Sequence, residues 1–348
     1  MFKKVLIIGP HYNAKGGIAS VINTYKEEFD IFHFLPTMNS GHKLEKLFIL
    51  IKSFFLFPFY IYRYNIKIVH IHTSSYVSFY RKSIFILLAY LFKRKIICHI
   101  HAGNFLVFYE KENTKIISYV LNKCTRIIVL SEKIKKDFEN ITGITAHKIK
   151  VIHNMVSPQS YIKRNNKKEI IILFMGHIYR EKGIFDLAKL FRENYSHYKD
   201  KFKLIIAGGL YETNELLRFI NSNKLNDIIN YEGWASGEKK EHLYKKANIF
   251  ILPSYNEALP MSILEAMSYS LPIISTKVGA IPEIVKDGIN GLLFEAQDNI
   301  ALKEILDLVE QNRDLLNIMG QNSYNMSIQY FPHKVITELT NVYKELLK

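Results

Sequence analysis

Residues 253–294 read PSYNEALPMSILEAMSYSLPIISTKVGAIPEIVKDGINGLLF, and the order of signals in that stretch decides the fold. A short apolar run at 249–252 precedes it and another lies inside it at 272–275, each the length of a buried strand. Between them, Pro260 fits the first helical position, because proline has no N–H to satisfy and its fixed φ suits the first turn. That places Glu257 in the loop and Glu265, with seven residues between them, in the helix. The amides of Met261, Ser262 and Ile263 then point out of the helix N-terminus, where the dipole favours an anion. A carboxylate on each side of such a site can accept hydrogen bonds from sugar hydroxyls.

The same strand–loop–helix unit recurs in both directions. Upstream in this half, apolar runs at 170–175 and 203–207 precede those at 249–252 and 272–275. In the first half they fall at 5–9, 67–71, 96–100 and 126–130, with helical stretches between. A loop carrying Gly16-Gly17 follows the first run and opens a helix over 18–29. Alternation of this kind means a doubly wound parallel sheet, so the chain reads as two Rossmann-like units in tandem. The polar stretch 165–169 (NNKKE) reads as the linker between them.

A chain of 348 residues, 48% hydrophobic and 23% charged, is an ordinary globular composition, which excludes disordered and fibrous classes. Two cysteines, Cys98 and Cys124, make neither a disulfide framework nor a four-thiolate metal site and suit a reducing compartment. The apolar run after the first lysines is shorter than a signal peptide requires, and the longest apolar region, 47–62, is broken by Lys52, Ser53 and Pro58. Neither a leader nor a transmembrane helix is expected, and the chain reads as cytoplasmic. The net charge of +15 is uneven: residues 1–160 hold 23 Lys+Arg against 9 Asp+Glu, residues 161–348 hold 24 against 23. A basic half beside a neutral one predicts an anionic partner for the first half, such as nucleic acid, anionic lipid or a phosphorylated substrate.

Residues 43–57 predict a helix. Leu44, Leu47, Phe48, Ile51, Phe54 and Phe55 share one face at 3.6-residue spacing, a stripe of the kind that faces a core. The opposite face carries Lys46, Lys52 and Ser53 but also Ile49, Leu50, Leu56 and Phe57, so a helix lying in a membrane interface competes with a helix covered by its own domain. Residues 83–92 are apolar all round and read as buried, with Arg81-Lys82 and Lys93-Arg94-Lys95 at the flanks.

The two glutamates, followed by Gly279-Ala280-Ile281-Pro282-Glu283-Ile284-Val285 and Asp287-Gly288-Ile289-Asn290-Gly291, closely resemble retaining glycosyltransferase family 4, of GT-B fold, over essentially the whole chain. Phe174-Met175-Gly176 through Arg180-Glu181-Lys182-Gly183 resembles the family's diphosphate-binding segment. Ala207-Gly208-Gly209, Tyr231-Glu232-Gly233-Trp234 and the stretch from Lys148 to Asn154 match as well. The resemblance implies an α/β chain of two Rossmann-like doubly wound parallel-sheet domains facing a central cleft. Residues 1–164 would bind the acceptor, 165–330 the nucleotide sugar, and a last helix in 331–348 would cross back onto the first domain.

The activity so implied is transfer of a sugar, with retention, from a UDP- or GDP-sugar to a lipid-linked or surface-polysaccharide precursor such as capsule, exopolysaccharide or O-antigen. Negative charge grows on the leaving diphosphate. No Asp-x-Asp motif is present to hold a metal for it. Arg180, Lys182 and the amides of Met261, Ser262 and Ile263 supply positive charge without one, so no metal and no cofactor is expected. Glu257 would hold sugar hydroxyls and Glu265 the ribose diol. Gly16 and Gly17 permit close approach to donor phosphates or acceptor. His101 ends a strand and resembles the family's histidine facing the sugar, so His101, Lys182 and Glu257 are the expected catalytic residues. Gly176 completes the donor segment and Trp234 lines the base site by position. The sequence departs from the family pattern at His177, which replaces an arginine, at Leu259 and Pro260, which replace an aromatic–glycine pair, and at Ser270, which replaces a glycine.

Two histidine pairs, His70/His72 and His99/His101, sit at i and i+2 on strands and invite a metal reading, but no acid or thiol at ligand spacing accompanies them. Besides transfer, a GT-B-type nucleotide-sugar epimerase and a catalytically silent membrane- or polyanion-binding protein fit the same features. Nucleic acid fits poorly, because the basic residues lie among apolar helices without a recognition motif. An oxidoreductase fits no better, since no Gly-x-Gly-x-x-Gly follows a strand. Work at the inner face of the cell membrane, with the basic first domain against anionic lipid, is the expected location.

Overall fold

Short runs of Val, Ile and Leu build the interior strands, and burial on both faces is what a parallel sheet covered by helices requires. The computed structural model describes residues 2–164 and 169–348, which form two α/β units: Met1–Met155 with Tyr330–Lys348, and Val156–Gln329. In the first unit, β1 (Val5–Pro10), β2 (His33–Met38), β3 (Ile68–Thr73), β4 (Lys95–Ile100), β5 (Arg126–Val129) and β6 (Ile149–Val151) make one parallel sheet in the order β2-β1-β3-β4-β5-β6. In the second, β7 (Ile170–His177), β8 (Phe202–Gly209), β9 (Ile229–Gly233), β10 (Ile249–Leu252), β11 (Ile273–Thr276) and β12 (Gly291–Phe294) lie in the order β12-β11-β10-β7-β8-β9. The winding reverses between β1 and β3 in one sheet and between β7 and β10 in the other. Open α/β sheets bind ligands beyond the carboxyl ends of the strands at such reversals.

The eight interior strands coincide with the apolar runs of the sequence. The four that sequence reading did not single out, β2, β6, β9 and β12, are the four sheet edges. An edge strand has one solvated side and lacks a continuous apolar run; β2 carries Pro36 and is only partly buried, both tolerable at an edge. The polar stretch expected as a linker lies largely outside the described residues, at 165–168. Residues 156–164, expected with the first domain, lie in the second unit. There the buried Arg164 donates to the carbonyls of Tyr244, Lys245, Ala247 and Tyr269.

The helix Pro332–Leu347 lies in the first unit, burying Val335, Leu339, Val342 and Leu346, and its Tyr343 hydroxyl sits 2.6 Å from His70 Nδ1. Arg126 and Lys150 approach its Glu345 at 3.7 Å.

The helix Lys43–Arg63 corrects the expected facing. It runs through Pro58, and its buried residues are Ser53, Phe57 and Ile61, while Leu44, Leu47, Phe48, Ile51, Phe54 and Phe55 are exposed. The Ser53 hydroxyl donates to the Pro36 carbonyl at 2.6 Å, and Phe57 packs on Phe85 and Phe92. Both faces are apolar enough to bury, so periodicity alone could not choose between them. The helix Val77–Leu91 is also less covered than its composition predicts: Phe79, Phe85 and Ile86 are buried, whereas Ile84, Leu87, Tyr90 and Leu91 are exposed.

Candidate active site

The loops after β7 and β10 flank the reversal of the second sheet, and each delivers one half of an ion pair. The first makes a short 3-10 turn, Arg180–Lys182, and the second runs from Pro253 to the helix Met261–Ser268. Lys182 Nζ lies 2.5 Å from Glu257 Oε1, with both side chains mostly covered. The Ser254 hydroxyl donates to the same oxygen at 2.8 Å. Burial alone pushes the Lys182 ammonium down, but the Glu257 carboxylate and the neighbouring Tyr179 outweigh it and hold Lys182 above its usual range. The two loops are also tied directly: the Tyr255 amide donates to the Glu181 carbonyl at 2.8 Å, and the Tyr255 hydroxyl to the Asp186 carboxylate. Behind Glu257, Gly279 has φ +55 and packs its Cα side onto the Glu257 carbonyl, leaving no room for a Cβ.

Pro260 is the N-cap of the Met261–Ser268 helix, with φ −69 and ψ 120, and not its first helical residue. Proline's φ suits either position; the extended ψ decides. The Ile263 amide donates back to the Pro260 carbonyl at 3.2 Å. Of the three amides expected at the tip, those of Met261 and Ser262 therefore remain for an anion, and Ile263 is engaged. Leu259 is buried beside them.

Glu265, one turn into that helix, is held by two groups from the helix Gly237–Lys246. Lys240 Nζ lies 2.7 Å from Oε1, and the Tyr244 hydroxyl donates to Oε2 at 2.9 Å. Tyr244 is fully buried and its phenol is pushed well above its usual range, first by burial and then by Glu265. Neither Lys240 nor Tyr244 carries a motif that sequence reading could have used. Ser254, two residues before Asn256 in the quoted stretch, was readable only once its rotamer was known.

Gly176 sits in β7 opposite Gly208 of β8. Arg180, expected on a diphosphate, is turned elsewhere: its guanidinium pairs with Glu215 and lies over the Phe185 ring. His177, in the family's arginine position, stacks on Trp234 with ring centroids 5.4 Å apart. The structure thus brings Lys182, Glu257, Met261, Ser262 and Glu265 to one end of the second sheet, with His177 at the end of β7 stacked on Trp234 just after β9.

In the first unit, Gly16 caps the helix Gly17–Glu28 with φ 133, a conformation open to glycine, beyond β1 at the reversal of that sheet. His101 follows β4. Its Nε2 lies 2.9 Å from His72 Nδ1, and its side chain also hydrogen-bonds Asn154. Burial, helped by Lys82, pushes His101 down to about 3 against the opposing Asn154 hydrogen bond, so the ring is neutral at physiological pH. His70 Nε2 lies 3.2 Å from His99 Nδ1, and burial pushes His70 down to about 3 as well. The ligand atoms of His70, His72 and His99 lie within 4.8 Å of one another. Both nitrogens of His70 are nevertheless engaged, no carboxylate among the described residues joins the group, and Lys82 adds positive charge, which disfavours a divalent cation.

Comparison with known proteins gives the same answer along most of the chain. The family described as "Glycosyl transferases group 1" matches residues 158–326, and that described as "Glycosyltransferase Family 4" matches residues 23–160. The chain belongs to the group 1 glycosyl transferases. An uncharacterized glycosyltransferase of Methanocaldococcus jannaschii is 32% identical over 230 residues, 66% of this chain and 62% of that protein. An uncharacterized 41.2 kDa protein in the cps region of Klebsiella pneumoniae is 26% identical over 325 residues, 84% of this chain and 87% of that one. Among solved structures, sucrose-phosphate synthase of Thermosynechococcus elongatus superposes with a TM-score of 0.81 at 15% identity, covering 99% of both chains. The Anabaena protein HepE in complex with UDP does so with a TM-score of 0.74 at 15% identity, again over 99% of both. The fold of this group 1 glycosyl transferase is therefore GT-B, and its second sheet, with the paired Lys182 and Glu257, falls within the matched residues.

Proposed function

We propose that the chain transfers a sugar, with retention of configuration, from a nucleoside-diphosphate sugar to a lipid-linked or surface-polysaccharide precursor, and that it does so without a metal. One observation carries the reading: a lysine and a glutamate pair at a sheet reversal, beside a helix N-terminus with two free amides and a glutamate one turn on. Lys182 neutralises Glu257. A diphosphate lying on the Met261 and Ser262 amides would take over Lys182, and Glu257 would pass to the sugar hydroxyls. Charge growing on the leaving phosphate then meets an ammonium and a helix dipole already in place, the arrangement that stabilises a transition state with little reorganisation. Glu265, held by Lys240 and Tyr244, is oriented for a ribose diol, and Trp234 for the base. His101 is neutral and suits hydrogen bonding to the transferred sugar better than carrying charge.

UDP is favoured as the nucleotide because HepE, alike in fold, was solved with UDP. A capsule-type acceptor is favoured because the Klebsiella relative lies in a cps region. Such acceptors are presented at the inner face of the cell membrane, where the basic first unit would meet anionic lipid. The test is calorimetric titration of the purified protein with UDP, GDP, ADP and their sugars, with and without EDTA. Stabilisation by one nucleotide that survives EDTA is the expected result. Absence of binding by all of them would overturn the reading.

A further inference from the structure

The face of the Lys43–Arg63 helix that sequence periodicity assigned to the core is bare. Leu44, Phe48, Ile51, Phe55, Phe59 and Tyr62 follow one another at three- and four-residue steps, so they form a single stripe along the helix. Leu44 is 80% exposed, Phe48 66%, Phe55 73% and Tyr62 69%. At about 1.5 Å per residue the stripe is on the order of 30 Å long, far more than the scattered single apolar residues of a normal surface. The neighbouring helix Val77–Leu91 packs against this one through Phe57 and Phe85, and Tyr62 meets Phe92 just beyond it. It adds exposed Ile84, Leu87 and Leu91.

Charge identifies what covers the stripe. Lys52 and Arg63 flank it, Lys43 and Lys46 lie at the start of the helix turned away from the stripe, and Glu45 is the one acid of the helix. The half of the chain that carries it holds 23 Lys+Arg against 9 Asp+Glu. A second copy of the chain would set this positive rim against itself. An anionic bilayer surface neutralises it and receives the apolar side chains, while the lysine stems lie along the interface with their ammonium groups at the phosphates. No helix among the described residues is long and apolar enough to cross a membrane. A helix that is apolar outward and bordered by lysine lies in the interface plane.

We infer that the Lys43–Arg63 helix inserts its Leu44–Tyr62 stripe into the headgroup–acyl boundary of an anionic membrane, and so anchors the first unit by burial as well as by charge. The inference gives a specific anchor to the membrane location proposed above and depends on that reading for its purpose only. Its test is flotation of the full chain with vesicles of phosphatidylcholine alone or with about a third phosphatidylglycerol, at low and at 0.5 M salt on the order of the Debye-screened limit. Binding to the anionic vesicles is expected, with a substantial part retained at high salt. The double variant F48S/F55S should bind at least about tenfold more weakly, a loss of about 1.4 kcal/mol or more. Its response to nucleotide, which is read in the second unit, should not change. That readout separates failure of the anchor from failure of the enzyme reading. Complete loss of binding at high salt, equal binding by the double variant, or a concentration-dependent dimer that F48S/F55S converts to monomer would each overturn the inference.

Discussion

Lys182 and Glu257 satisfy each other across two loops of the second sheet, ammonium to carboxylate at 2.5 Å. Their chain positions are far apart, and the reversal of strand order between β7 and β10 is what makes them neighbours. The pair holds this end of the second sheet at neutrality. Glu257 keeps the Lys182 ammonium charged in a place where an isolated charge would be costly.

Lys182→Ala is therefore expected to act twice. It removes the cation for the diphosphate, and it leaves the Glu257 carboxylate mostly buried and unpaired, which costs about 3–5 kcal/mol in fully buried pairs and less here. Nucleotide binding should be lost and the unfolding midpoint should fall. The double variant Lys182→Met/Glu257→Gln removes both charges and should regain most of the midpoint while remaining inactive. Calorimetry and a transfer assay on the two variants separate the contributions; a double variant as unstable as Lys182→Ala would contradict this account of the pair.

Tyr244→Phe isolates the orientation of Glu265. The variant deletes one hydrogen bond to Oε2 and keeps the ring that stacks on Tyr269. A hydrogen bond to a charged group is worth about 1.5–3 kcal/mol, so nucleotide affinity is expected to drop on the order of tenfold or more, with a smaller change in stability. Titration with nucleoside diphosphate against nucleoside triphosphate and free phosphate reads this directly. An unchanged affinity for the nucleoside part would remove Glu265 from the ribose.

The interior of both sheets was legible because a strand buried on both faces must be a continuous apolar run, and β1, β3, β7 and β10 are such runs. The edges were not, since β2 and β12 are half solvated and read like loops. Glu257 and Glu265 were legible through their motif. Their supports were not: Lys240 and Tyr244 reach Glu265 from another helix, and nothing in GEKKEHLYKK marks two residues for that task. The Lys43–Arg63 helix was misread for a different reason. Its period was plain, although it runs six residues beyond the expected 43–57, through Pro58 to Arg63, but Ser53, the small polar residue that would mark an outer face, is buried because it bonds the Pro36 carbonyl of β2.

The histidine stack of the first unit sets a pH dependence. Burial holds His70 near 3 in the folded chain, against about 6.5 when unfolded, and lowers His99 well below its usual value. Between those limits the unfolded chain binds protons that the folded chain does not, so stability is full above about pH 6.5 and falls as pH drops. Each such histidine contributes a slope of about 1.4 kcal/mol per pH unit in that window. Urea midpoints measured from pH 7.5 to 5 should decline, and His70→Gln should flatten the decline. A midpoint independent of pH over this range would mean the stack is solvated or protonated.

Lys82 makes a contrary prediction about charge. It is 1% exposed, and its ammonium donates to the Ser78 hydroxyl at 2.7 Å. No carboxylate pairs with it among the described residues, and Arg81 lies beside it in sequence. Burial first, then Arg81, pushes the amine well below its usual range. A buried cation paired only with a hydroxyl costs stability, and an apolar side chain of similar length avoids that cost. Lys82→Met should therefore leave the unfolding midpoint unchanged or raise it by a few degrees, opposite in sign to Lys182→Ala. Lys82 also lies close enough to His101 to depress it, so a more stable Lys82→Met with reduced transfer would show that the buried charge is kept for function at the expense of stability. A midpoint lowered by several degrees would mean instead that Lys82 holds a structural bond the Ser78 contact does not represent.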